Sequence, residues 1–217
     1  MRPNTKDANG FTLLEMMIAL AIGSIVMLGI SSTYQSQLRS HMTQQSLVDL
    51  HQNARAAMHV MKKEIQMAGY DPSAGADATV LIATATDFQF QIDADGDGDC
   101  NDANEVIRYA LSGGDLGRDT GSGLQPVAEN IDAIDFVYYD DTMTALIPYP
   151  NNETERASIR LVQVTIVARA DDPVMSFKHT NTDTYTNRIG TTIFGPVNDT
   201  SRRALMSASV WCRNMGM

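Results

Sequence analysis

From Phe11 to Ile30 the chain reads FTLLEMMIALAIGSIVMLGI, twenty residues in which Glu15 is the only charge. Twenty helical residues span about 30 Å, the hydrocarbon thickness of a bilayer, so this run predicts a membrane-crossing helix. The ten residues before it, MRPNTKDANG, are polar and carry Arg2 and Lys6 against Asp7. That excess of cations places them on the cytoplasmic side. From Leu38 the apolar positions become periodic. Met42, Leu47, Leu50, Ala54, Met58, Met61, Ile65 and Ala68 recur mostly every three or four residues, marking one face of an amphipathic helix. No proline interrupts this stretch, and Gly69, Asp71 and Pro72 supply its stop. A helix from Phe11 to Gly69 would be about 90 Å long, too long for a compact domain of this size, so its first half is expected outside the globular part.

Beyond Pro72 the pattern changes to alternation. Thr79 to Ala83, Thr86 to Ile92, Glu105 to Leu111, Ile131 to Tyr139 and Ser158 to Ala168 all read as strands. In the last of these, Val162, Val164 and Ile166 fall on one face and Gln163 and Thr165 on the other. Short connections make the sheet antiparallel. Gly113 to Gly123 reads as a flexible glycine-rich connection and Asp171 to Gly190 as a second polar loop. The predicted class is α+β, a long amino-terminal helix packed on an antiparallel β-sheet head. The predicted segments are a leader over 1–10, a transmembrane half-helix over 11–30, an amphipathic half over 31–70 and a β-rich head over 71–217.

The chain has 217 residues and a formal net charge of -10, which offers no general attraction for nucleic acid. Arg202 and Arg203 read as solvated surface. His41, His51 and His59 lie on the helix without a ligand spacing. No G-x-S-x-G or H-E-x-x-H arrangement occurs, and His179 has no assignable nucleophile or acid partner, so nothing points to an enzyme. The two cysteines, Cys100 and Cys212, lack metal-binding spacing. In an oxidising compartment they either pair as one disulfide or remain two thiols.

The densest chemistry is the run Asp93-Ala-Asp95-Gly-Asp97-Gly-Asp99-Cys-Asn101-Asp-Ala-Asn104-Glu105. Oxygen ligands at alternate positions, with a glycine at the sixth, suit a hard cation held by a tightly turning loop. Counting from Asp93, the ligand positions fall on Asp95, Asp97, the Asp99 carbonyl and Asn101. Asn104 stands at the twelfth position, and Glu105 comes one place late for the usual bidentate carboxylate. The flanks are strands rather than helices. The competing reading is a bare acidic turn, since Asp and Gly favour turns. Mutual repulsion among five aspartates favours bound calcium.

The amino terminus carries a resemblance. Ala-Asn-Gly followed by Phe-Thr-Leu-Leu-Glu resembles the type IV prepilin signature, in which a membrane peptidase cuts after the glycine and methylates the new amino terminus. The resemblance implies cleavage between Gly10 and Phe11, with the apolar helix retained. It also implies that Glu15, a carboxylate costly in an apolar setting, pairs with the terminal amine of a neighbouring subunit. Ala19 and Gly23 form a small-x-x-x-small pair. The proline that many major pilins carry farther along the helix is replaced by Ser31 and Ser32, which points to a specialised subunit. LHQNARAAMHVMKKEIQMAGYDP resembles PilW-like minor pilins and, more loosely, J-type minor pseudopilins of type II secretion, through Asn53, Arg55, Ala57, Met67, Ala68, Gly69 and Tyr70. RRALMSASVWCRN resembles their final strand. The implied partners are other pilins, the prepilin peptidase and the bacterial inner membrane, with the head in the periplasm before assembly into a filament. A calcium-dependent adhesive head, using Tyr138 and Tyr139, is the alternative from another functional class.

Overall fold

The computed structural model describes residues 10–170 and 180–216. The predicted leader, His179 and the first part of the Asp171 to Gly190 loop therefore lie outside the described residues, Gly10 excepted. The chain divides into two compact units, Met1–Gln44 and Gln45–Met217. The first helix, α1 (Leu13–Met67, 55 residues), contributes to both. Leu and Met are its commonest residues, both good helix formers, and proline is absent.

Within the first unit every described side chain from Gly10 to Met42 is exposed. Within the second, Leu50, Ala54, Ala57, Met58, Met61 and Ile65 are buried, the periodic face read from the sequence. The stop is also where the sequence sets it. Gly69 has φ +75°, a left-handed conformation, and a Cβ there would lie 2.7 Å from Met215 Sδ. The Gly69 N–H donates to Gln91 O at 3.0 Å, tying the helix end to the sheet.

Five strands form an antiparallel meander in chain order: β1 (Val80–Ala83), β2 (Asp87–Gln91), β3 (Val106–Ser112), β4 (Asp115–Asp119) and β5 (Gln125–Ala128). A second sheet has the order β10-β7-β6, built from β6 (Ile131–Tyr139), β7 (Leu161–Arg169) and β10 (Arg203–Trp211), again antiparallel. A short helix, α2 (Glu153–Ala157), precedes β7, with Asn152 Oδ1 accepting from the Glu155 N–H at 2.9 Å as its cap. The pair β8 (Tyr185–Thr186) and β9 (Thr192–Phe194) completes the fold. The class is α+β, a long helix packed through its second half on antiparallel sheet.

One core joins these layers. The buried face of α1 shares it with Phe88, Phe90, Tyr109 and Leu116 of the larger sheet and Phe136, Tyr138, Val162, Val164 and Ile166 of the smaller. Phe88 sits at the junction, its ring centroid 5.3 Å from Phe90, 5.6 Å from Phe136 and 5.5 Å from Tyr138. The Phe136 N–H donates to Ala85 O at 2.8 Å, and the buried Tyr138 hydroxyl donates to Thr84 O at 2.8 Å. Tyr138 is thus a core residue and no part of an exposed aromatic cluster.

The stretch Gly113 to Gly123, expected to be a flexible connection, instead contains β4. Gly113 and Gly114 both have positive φ and form the two-residue turn between β3 and β4. Gly117 lies inside β4, where a Cβ would come within 2.9 Å of Leu124. The strand is also fastened to the helix: Arg118 Nη2 lies 2.9 Å from Glu64 Oε1, and the Tyr109 hydroxyl donates to the same carboxylate. Glycines placed for a turn and a close approach made a paired strand read as a loose connection.

The second face of β7 is not exposed either. Gln163 and Thr165 are buried, together with Asp135 on β6. β9 lies against β6, and Asn187, between β8 and β9, donates from Nδ2 to Asp135 Oδ2 at 2.9 Å. Burial pushes the Asp135 carboxyl above its ordinary value, partly offset by that hydrogen bond. A carboxyl whose folded pKa is raised weakens the fold most when ionised, and the penalty fades as pH falls through the folded value toward the unfolded one. Asp135→Asn should therefore raise the melting temperature at pH 7, with the gap to the parent narrowing toward pH ~4. Thermal unfolding across pH checks this; a variant less stable at pH 7 would contradict it.

Candidate functional site

Two places carry the chemistry anticipated from the sequence. At the first, α1 begins at Leu13, so Thr12 takes the N-cap position and Glu15 the third helical one. The Thr12 N–H and its hydroxyl each donate to Glu15 Oε2 at 2.9 Å, and Thr12 Oγ1 accepts from the Glu15 N–H at 3.3 Å. This is a reciprocal capping box, placed where the positive end of the helix dipole also favours a carboxylate. Its signal, Thr12-x-x-Glu15, stands in the sequence, but Glu15 was read there only as a carboxylate wanting an external partner. Gly10 and Phe11 directly precede the box, and Phe11 is 91% exposed.

At the second place, the β2–β3 connection, Asp93, Asp95 and Asp97 each offer an oxygen within 4.8 Å of one another. Asp93 is buried and held by the N–H groups of Gly96 at 2.6 Å and Gly98 at 3.2 Å and by the Ser73 hydroxyl at 3.2 Å. Gly96 and Gly98 have positive φ, which bends the loop around that carboxylate. Asp95, Asp97 and Asp99 then form a ladder, each accepting the N–H two residues ahead at 3.2, 3.1 and 2.9 Å, the last from Asn101.

Asp99 and Glu105 stay outside the three-carboxylate group. Glu105, which came one place late for coordination, is buried and closes the loop, accepting from Ala94 N–H at 2.9 Å and Asp102 N–H at 3.1 Å. Asn104 adopts φ +72° at the turn into β3. Like charges from Asp95, Asp97 and Glu105 push the exposed Asp102 carboxyl above its ordinary value. The three converging donors, Asp93, Asp95 and Asp97, are hard carboxylate oxygens of the kind that suits a hard divalent cation, and the loop's one thiol, Cys100, is not among them.

The disulfide that the two cysteines would permit is not formed: both are buried free thiols. Burial and the nearby Glu105 and Asp93 carboxylates push Cys100 up to about 11. Burial pushes Cys212, beside Arg160, up to about 12. Both are protonated and inert near neutral pH. A further finding concerns the two segments that carried the finer resemblance. They meet at the helix end: Gln66 O accepts from Arg213 N–H at 3.3 Å and Met67 O from Asn214 Nδ2 at 3.4 Å.

An apolar helix long enough to cross a membrane, headed by a glycine, an aromatic residue and a capped glutamate, is followed by an antiparallel head, and the family models place this arrangement among type IV pilin-like proteins. The model of the prokaryotic N-terminal methylation motif matches residues 5–31. That of prepilin peptidase-dependent protein B matches residues 43–184, more than half of the chain, and the chain belongs to this family. A solved type IV-like pilin from Thermus thermophilus is similar at 18% identity and a TM-score of 0.49, over 77% of this chain and 98% of that one. No curated protein sequence matches.

Proposed function

We propose that this chain is a minor subunit of a type IV pilus that takes part in priming or capping filament assembly. It is cut after Gly10, methylated at Phe11, held in the bacterial inner membrane with its head in the periplasm, and then drawn into the filament. The observation that carries this reading is the exposed apolar run from Phe11 to Ile30, which buries no side chain of its own and has Glu15 as its fifth residue. In a bilayer that surface is satisfied by lipid; in a filament it is satisfied by the helices of neighbouring subunits. Ala19 and the unobstructed Gly23 allow those helices a close approach.

The capping box separates two roles for Glu15. Glutamine can accept from Thr12 as glutamate does, but it cannot pair electrostatically with a subunit's terminal amine. Glu15→Gln should leave the processed protein in the membrane at parental levels and remove it from the sheared filament fraction. Assembly of Glu15→Gln at parental levels would refute charge pairing.

In the same reading the loop from Asp93 to Glu105 binds calcium. The support is the convergence of Asp93, Asp95 and Asp97, with the repulsion that lifts Asp102. The Asp99 carbonyl and Asn101 complete the oxygen set. Millimolar calcium should raise the melting temperature of the detergent-purified chain, less so at pH 5 than at pH 7 because protons compete for the carboxylates. Asp93→Asn should abolish the gain. A parental melting temperature indifferent to calcium at pH 7 would refute the site.

A further inference from the structure

β10 is an edge strand of nine residues that pairs with β7 in unbroken register from Arg203↔Arg169 to Trp211↔Leu161. The bonds just beyond its ends fix which of its residues use β7. Ala170 N–H donates to Arg202 O at 2.8 Å, and Cys212 N–H to Arg160 O at 2.9 Å. Backbone polarity alternates along an antiparallel strand, so the even-numbered residues bond to β7. Leu205, Ser207, Ser209 and Trp211 turn their N–H and C=O groups to the outer edge. Among the described residues no strand pairs with that edge. The side chains of the same four residues are exposed, Leu205 by 45% and Trp211 by 52%.

Soluble proteins guard such edges with charges, prolines, bulges or short strands. Between Ala204 and Trp211 there is no charge, proline or glycine, and the register shows no bulge. Cations stand around this neutral stretch instead. Arg202 precedes it, Arg213 follows it, and Arg188 Nη1 reaches Ser209 Oγ at 3.3 Å. Among the described residues none of these three arginines has an ion-pair partner, whereas Arg203 is engaged by Asp132 and Asp199. This is a locally cationic rim on a chain of net charge -10.

We propose that the outer edge of β10 accepts an extended strand from a different polypeptide, one with an uncharged centre and carboxylates at its ends. Strand addition would satisfy the outward N–H and C=O groups, and the acidic ends would meet Arg202, Arg188 and Arg213. A second copy of this chain suits the edge poorly. Antiparallel self-pairing about Ser207 would set Arg203 opposite Trp211 and bring Arg202 close to the other copy's Arg213. The inference rests on the head alone and stands or falls independently of the filament reading.

Trp211 is the chain's one tryptophan, so its emission reports on this edge directly. The test uses the full chain in detergent and a synthetic peptide of alternating threonine and valine ending in glutamates, with a lysine-ended version as control. The glutamate-ended peptide should shift Trp211 emission to the blue in a saturable way, binding at least about tenfold tighter than the control. It should also slow hydrogen exchange at the Ser207 and Ser209 amides. Leu205→Pro removes an N–H that β7 does not use and no side-chain hydrogen bond, and should abolish the shift without loss of fold. Reversing Arg202 and Arg213 to glutamate should transfer the preference to the lysine-ended peptide. The proposal is overturned by no shift with either peptide, by equal binding of both, or by Ser207 and Ser209 amides already protected in the free chain. Protection that grows with protein concentration in the absence of peptide would assign the edge to a second copy and overturn it equally.

Discussion

The burial of one face of α1, from Leu50 to Ile65, is the contact on which the second unit depends. Neither sheet could bury its inner face with so few strands alone, and Met61 and Ile65 are enclosed where both sheets contribute to the core. Periodicity at three and four residues produces the face, Phe88 joins the two sheets beneath it, and Glu64 fixes rotation by holding Arg118 and Tyr109 at the margin. Because α1 is continuous through Gln44, the element that organises the head also carries the apolar surface of the first unit.

Among the described residues, Glu15 and the buried carboxylates Asp93, Glu105 and Asp135 share one arrangement: nearby neutral donors stand in for water. Glu15 has Thr12, Asp93 has Gly96 and Gly98, Glu105 has Ala94 and Asp102, and Asp135 has Asn187. Neutral donors make such groups tolerable without cancelling their charge. The remaining charge is what an external cation could answer, a subunit's amine at Glu15 or calcium at Asp93.

Much of this was legible in the sequence. The helix, its stop at Gly69 and five strands follow from local periodicity, and the final strand from resemblance, because burial of a single face imprints a period. What escaped depends on contacts distant in the chain. β4 was hidden because Gly113, Gly114 and Gly117 look like slack until Leu124 and the turn are in place. Gln163 and Thr165 gave no sign that residues near Asn187 would cover them. The capping box was present as Thr12-x-x-Glu15 but was masked by the larger question of a charge in an apolar run. The cysteines illustrate the reverse: a pairing that two cysteines make possible is left unmade, with each thiol buried.

The most direct test of the organising role of α1 is Met61→Ala, followed by residue-resolved hydrogen exchange at Phe90 in one sheet and Val164 in the other. Deleting a fully enclosed methionine side chain should cost about 2–5 kcal/mol, and both amides should lose protection together and by the same amount. If Phe90 loses protection while Val164 keeps it, or the reverse, the two sheets do not share one core organised by the helix.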